Sequence, residues 1–265
     1  VTSAADRWSA QLEGWAIPPE ILAAAPESPW GFQPSMFRAP EPHDGNDGCS
    51  RRRALEALAE GGTLLDVGAG GGAASLPVAV VGRASRVFAV DESADMLAAL
   101  ASRADELGLD HAEVAGRWPE VAAEVPAADV VVCHHVVYNV ADLARFALAL
   151  TDHARVRVVV ELTSTHPRSG LAPLWRHFHH LDRAGGPTAD DAVAVLREAG
   201  LDVSAEAFVA PARPGRDRPT WVAHVRRALC LPAGRDAELD ALLPVGAEQG
   251  PRDVVALWWA GSAGA

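Results

Sequence analysis

A run of glycines, Gly68-Ala69-Gly70-Gly71-Gly72, separates an apolar segment from a helical pattern. Asp66 stands just before it, and Asp91 closes the next apolar segment. Glycines tolerate positive φ and let the backbone approach a ligand with no Cβ in the way. The first turn of the following helix offers unpaired N–H groups to polar or anionic ligand atoms. A carboxylate about 20 residues further on, with two acceptor oxygens, suits the hydroxyls of a ribose. The chemistry implied is the binding of a nucleoside-type ligand. Gly68 to Ala73 also fits the dinucleotide fingerprint, so the loop alone leaves three readings open: a nicotinamide enzyme, a methyltransferase and a purely structural turn.

A second group could move protons. His134, His135, Tyr138 and Asn139 follow the apolar run Ala128–Cys133, and His166 follows Val156–Leu162. Histidine titrates near neutrality and can take a proton from a nucleophile, which makes His135 and Tyr138 the candidate catalytic bases. The plain alternative is that these side chains only satisfy backbone groups at strand ends. A third group, His177, His179 and His180, allows a metal reading, but on a helix His177 and His180 share a face that His179 leaves. No cysteine or carboxylate pattern completes a zinc site, so no metal is expected. The favoured reading is a helix over Leu171–Leu181 that packs Trp175 and Phe178 over the mouth of a site.

The elements that position these groups alternate. Strands are expected at Thr63–Val67, Arg86–Asp91, Ala112–Ala115, Ala128–Cys133 and Val156–Leu162. Between them fall helical patterns from the glycine loop to Val81, with Pro77 placed to kink the first, then Ser93–Leu107 with Ser93 as N-cap, and Asp142–Thr151. Arg51–Ala59 reads as a helix stopped by Gly61-Gly62. Strands apolar throughout indicate a parallel sheet covered on both faces. After a helix at Asp190–Ala199, runs at Ala205–Ala210 and Val254–Trp259 suggest a closing antiparallel pair at the sheet edge, with a helix over Thr220–Leu229 between them. The fold class is therefore α/β, a doubly wound, mostly parallel, Rossmann-like sheet with an antiparallel terminal strand. Ligands of such sheets bind beyond the carboxyl ends of the strands. Residues 1–50 are proline-rich, with short helices at Ala5–Trp15 and Pro19–Ala25. Pro29-Trp30-Gly31-Phe32 offers two aromatics suited to a lid.

Bulk properties narrow the classes. The chain has 265 residues and a formal net charge of -12, and arginine is its only strongly basic residue. That charge repels phosphate backbones and disfavours nucleic acid. Arg51-Arg52-Arg53 is expected to be a solvated helix face. Three scattered cysteines fit a reducing compartment, no signal pattern opens the chain, and no apolar run reaches the ~18 residues that span a bilayer. The expectation is a soluble, cytoplasmic protein with no membrane partner, monomeric or homodimeric, with Trp258-Trp259 as a candidate apolar patch.

Leu64-Leu65-Asp66-Val67-Gly68-Ala69-Gly70-Gly71-Gly72 resembles the first motif of the class I S-adenosylmethionine-dependent methyltransferases. Val90-Asp91-Glu92-Ser93-Ala94-Asp95-Met96-Leu97 is similar to their second. The resemblance covers roughly Arg53 to Leu201, and Asp66 before the loop favours it over a nicotinamide enzyme. It implies S-adenosyl-L-methionine as cofactor, with Asp66, Gly68, Ala69, Gly70, Asp91, Glu92, Met96 and His134 around it. Where many relatives carry Gly-Asp-Ala, this chain has Gly116-Arg117-Trp118-Pro119. Arginine cannot accept the adenine amino proton, so backbone contacts at Arg117 and stacking on Trp118 are the expected replacement. Trp30, Tyr138, Asn139 and His166 would face the substrate. The domain reading is a lid at 1–50 and a methyltransferase domain at 51–265, with 170–190 as a substrate cap. The function implied is methyl transfer to a small-molecule acceptor; an RNA or protein methyltransferase and a catalytically silent binding module are the alternatives.

Overall fold

A computed structural model describes residues 2–30, 39–42, 48–183, 185–211, 217–246 and 251–262. Its seven strands are β1 (Thr63–Val67), β2 (Arg86–Asp91), β3 (His111–Ala115), β4 (Ala128–His134), β5 (Ala154–Thr163), β6 (Ser204–Ala210) and β7 (Arg252–Ala260). They form one sheet in the order β3-β2-β1-β4-β5-β7-β6. The first five pair in parallel, and β7 runs antiparallel to both β5 and β6. The expected terminal pair forms, but β7 is wedged inside it and β6 takes the edge. Burial explains the placement, because β7 contributes Val254, Ala256, Leu257 and Trp259 to the core while β6 keeps an exposed Val209.

Among the described residues the α-helices are α1 (Ala4–Glu13), α2 (Pro19–Ala24), α3 (Cys49–Ala57), α4 (Ser75–Gly82), α5 (Ala94–Glu106), α6 (Leu143–His153), α7 (Ala172–His179), α8 (Ala189–Glu198), α9 (Arg218–Ala228) and α10 (Asp236–Leu242). Alternate residues of the central strands feed two layers. On one face Leu65, Val131, Val158 and Val160 meet Phe146 and Leu150 of α6, Leu196 of α8 and Trp8 of α1. On the other, Leu64, Val87, Val132 and Val159 meet Ala54 of α3 and Val78 and Ala79 of α4. In α5, Met96, Leu97, Leu100 and Ala104 are buried at the three- and four-residue spacing of a single helical stripe. Pro77 does not kink α4: the helix begins at Ser75, which puts the proline in a first turn that needs no N–H from it.

Packing divides the chain differently from the boundary expected at residue 50. Trp8 is fully buried in the main core, and its indole N–H donates to the Val140 carbonyl at 2.8 Å, so α1 is built into a helical layer. A separate apolar core instead joins three distant stretches. Ile17 and the flank of α2 meet Leu174 and Trp175 of α7, Val222 and Val225 of α9, and Leu239 of α10. This small helical cap includes α7, which lies within 170–190, and also α10, which no sequence pattern signalled. Gly31 and Phe32 of the expected lid lie outside the described residues. Trp258 and Trp259 form no free patch. Trp259 is buried with its N–H on Thr151 Oγ1, and the Arg53 guanidinium covers Trp258 at 4.3 Å. The basic run of α3 is tied down as well, because Arg52 and Arg53 pair with Glu206.

Candidate active site

The glycine loop leaves β1 in the conformation its composition requires. Gly68, Gly70 and Gly72 have φ of 71°, 51° and 80°, in the left-handed region that favours glycine. A Cβ at Gly68 would stand 2.2 Å from Val136 Cγ2, so that position is closed to any side chain. The Gly68 and Ala69 N–H groups both donate to the Val90 carbonyl, which fastens the loop to the end of β2.

Asp91 holds the same junction from its side chain. One oxygen accepts the Gly70 N–H at 2.8 Å, and the other accepts the Ser93 N–H at 2.9 Å. Each oxygen keeps a free lone pair, so the carboxylate shapes the loop and still has room for two hydroxyls. Ser93 caps α5 by accepting the Met96 N–H, and Met96 is buried in that first turn. Asp66 lies beneath the loop rather than on it. Its carboxyl is fully covered, neither oxygen has a hydrogen-bond partner among the described residues, and burial raises its pKa to about 7. Ser75 moderates that shift and the Asp91 charge adds to it.

The rim beyond β3 differs from the sequence expectation. Arg117 and Glu92 form an exposed two-pronged ion pair, with contacts of 2.9 and 3.2 Å. The Trp118 ring is not a stacking platform at the loop. It is 6% exposed and meets the His153 ring edge-on at 4.8 Å, at the far end of α6. Its large apolar area finds more contact in the core than at the rim.

Across the mouth, the carboxyl ends of β4 and β5 converge on Glu161. His134 and Glu161 are register partners. His135 adopts a left-handed φ of 61°, which for a side chain of its size costs ~1 kcal/mol. Its N–H donates to the Glu161 carbonyl at 2.7 Å, and its Nε2 stands 3.1 Å from Glu161 Oε1 and 3.5 Å from Arg252. Burial alone would push the Glu161 carboxyl up. His134, His135 and the Ser50 hydroxyl outweigh burial and hold it well below the usual carboxylate range. Burial in turn keeps His134 and Arg252 below their ordinary values, despite the Glu161 charge. Of the two neutral tautomers, the one protonated at Nε2 faces Glu161 with its N–H and keeps Nδ1 as an acceptor.

The sequence singled out His135 but not Glu161, Arg252 or Ser50. One signal was available: an acid following the apolar run Val158–Val160 inside a central strand must find a partner. Tyr138 is not a base in this arrangement. It is buried, donates its hydroxyl to the Thr163 carbonyl at 2.7 Å, and burial pushes its pKa up. His166 is buried too, stacked on Trp15 at 4.3 Å and edge-on to Tyr138 at 5.4 Å, with burial lowering its pKa to about 4. Both are packed beneath the surface rather than reaching out from it. Asn139 is exposed on the turn after β4, and Trp30 is half exposed. The histidines of α7 are engaged separately, His177 with Glu238 and His179 with the Leu229 carbonyl.

Comparison with known proteins agrees with this geometry. Residues 64–157 match the family model described as a methyltransferase domain. The probable cobalt-precorrin-6B C(15)-methyltransferase (decarboxylating) of Pyrobaculum calidifontis is 41% identical over 75 residues, 27% of this chain and 38% of that protein. The matched part of the chain thus spans well under half the length of that curated relative. Among solved structures, the YcgJ protein from Bacillus subtilis superposes with a TM-score of 0.53 at 14% identity, covering 80% of this chain and 97% of that one. A protein described for the conversion of a disulfide bond into a thioacetal group during echinomycin biosynthesis gives 0.53 at 16% identity, covering 88% and 89%. Residues 64–157 therefore carry a methyltransferase domain, and the cofactor such a domain uses is S-adenosylmethionine. The residues fit that group: a loop closed to side chains, a carboxylate with spare lone pairs at the end of β2, and a second, orphaned carboxylate beneath them. Among the described residues, no helix is long and apolar enough to cross a membrane.

Proposed function

We propose that this chain methylates a small-molecule acceptor, with His135 as the base and Glu161 as the group that orients and charges it. The observation that carries the reading is the left-handed His135, held at both backbone and ring by Glu161 beside the carboxyl ends of β4 and β5. Strain at a non-glycine residue persists only where its surroundings enforce it, and such residues cluster at functional sites. When bound, S-adenosylmethionine supplies a methyl group already activated on a sulfonium. The chain's share is therefore placement and proton handling.

Gly68, Ala69 and Gly70 would line the donor's amino-acid and ribose portion, and Asp91 would accept the ribose hydroxyls. Met96 would pack beside the adenine. His135 Nδ1 would take the proton from the acceptor nucleophile, and Glu161 would stabilise the resulting imidazolium through Nε2. Tyr138 and His166 would wall the acceptor side, with Asn139 and Trp30 at its open margin. The net charge of -12 and the cobalt-precorrin relative both support a small molecule over RNA. The test is transfer of a labelled methyl group into small-molecule fractions. His135→Gln should lower kcat by ~10²-fold with donor affinity unchanged. Full activity in that variant would remove the base assignment, and labelled RNA in place of small molecules would replace the acceptor class.

A further inference from the structure

Two arginines between the sheet and the cap have no carboxylate partner among the described residues. Arg168 follows β5, and its backbone N–H donates to His166 Nδ1 at 3.2 Å, so it is anchored to the ring that would wall the acceptor side. Arg183 lies on the segment between α7 and α8. Its Nη1 donates to the Gly14 and Ala16 carbonyls at 3.0 and 2.9 Å, and its guanidinium lies over the Trp175 ring at 4.3 Å. Its Nε and Nη2 are buried with no hydrogen-bond acceptor among the described residues.

Two other covered arginines are matched, whereas Arg252 beside His135 also keeps a buried Nε with no partner among the described residues. Arg103, with 11% of its side chain exposed, pairs with Glu41 and Glu106, and Arg226, at 10%, pairs with Glu27 and Asp236. Arg168 and Arg183 have no ion pair with any described residue, and burial depresses both guanidinia. The Arg183 guanidinium also lies 5.9 Å from the Trp15 ring, and Trp15 stacks on His166, the ring that the Arg168 N–H meets, so the two arginines share one small region. A buried cation is costly unless paired, and a guanidinium presents a planar fork that matches a carboxylate or phosphate.

We infer that Arg168 and Arg183 form a subsite for an anionic group, a carboxylate or phosphate, carried by the methyl acceptor. This rests on the methyltransferase reading above and deepens it: the acceptor is an anion whose charge is bound on the cap side while His135 meets its nucleophile. The stacked Trp15–His166 pair and Trp175 flank the arginines, so the anion would be attached to an apolar or aromatic body.

The test uses the full chain saturated with S-adenosylhomocysteine and titrated with benzoate, phenyl phosphate and neutral benzamide. Benzoate or phenyl phosphate should bind at least ~10-fold more tightly than benzamide, a difference of ~1.4 kcal/mol. Whichever anion binds more tightly identifies the group. Arg168→Gln should abolish the preference and Arg168→Lys should keep part of it, with S-adenosylhomocysteine affinity unchanged in both. Arg183→Gln also loses two backbone contacts, so Arg168 is the decisive position. Equal binding of charged and neutral probes, no binding of either anion, or an intact preference in Arg168→Gln would overturn the subsite. Failure of S-adenosylhomocysteine to bind would instead strike the methyltransferase reading itself.

Discussion

The two sides of the mouth are built by different means. At the ends of β1 and β2 the site is made of backbone: three left-handed glycines, two N–H groups on the Val90 carbonyl, and one carboxylate tying Gly70 to Ser93. At the ends of β4 and β5 it is made of side chains gathered from distant parts of the chain: Glu161, Arg252 and Ser50 around His135, and Arg168 and Arg183 below the cap. In the proposed reaction the donor would lie on a fixed cradle and the acceptor would meet a charge arrangement, and charge arrangements are what a fold varies to change its substrate.

The largest effect should come from filling the cradle. Gly68→Ala places a Cβ against Val136 and forces an unfavourable φ, and is expected to cost ~2–4 kcal/mol of stability. Urea denaturation reads it directly; a change under ~0.5 kcal/mol would mean the loop is free to rearrange and the cradle is not fixed. The second effect should separate the two sides. Glu161→Gln is expected to reduce turnover by ~10–100-fold with donor affinity unchanged, and its effect should not add to that of His135→Gln. Additive losses would show that the two residues do not act as one unit.

A third prediction uses pH. Asp66 has a folded-state pKa raised to about 7, so it favours the folded state when protonated. Its contribution is present in full below pH ~4, falls as pH rises toward 7, and amounts to a few kcal/mol. Asp66→Asn should flatten the fall in stability between those limits. Glu161 acts in the opposite sense and in a lower window: with its pKa depressed, it stabilises at pH above ~4.5, and that stability is lost as the solution becomes more acidic. An unchanged pH profile in Asp66→Asn would place that carboxyl in a wetter setting. The smallest effect belongs to Tyr138→Phe, which removes one hydrogen bond to the Thr163 carbonyl and should cost ~1 kcal/mol with turnover within a few-fold of normal. A hundredfold loss of turnover would restore Tyr138 as a reacting group.

The same contrast sets how far the sequence could be read. Strand, glycine loop, helix and Asp91 are contiguous or nearly so, and their geometry follows from local rules; the loop and its fastening to β2 were legible. Ser93 was legible as a cap for the same reason. Trp118 was misread because its partner His153 comes from another helix, and nothing near Trp118 announces it. The wedging of β7 between β5 and β6 depends on which strand buries more apolar surface, a property of the assembled sheet. The cap shares a core among three stretches, none of which has a complete apolar face alone, so α10 had no signal to give. Glu161 came closest to being found, as an acid directly after the apolar run Val158–Val160.

The most direct test of the central claim is calorimetric titration of the full chain with S-adenosylmethionine, S-adenosylhomocysteine and NAD. The account predicts that the first two bind one per chain, that Asp91→Asn weakens them by ~10–100-fold through loss of charge-assisted hydrogen bonds, and that NAD does not compete. Binding of NAD with none of the other two, or full affinity in Asp91→Asn, would contradict it.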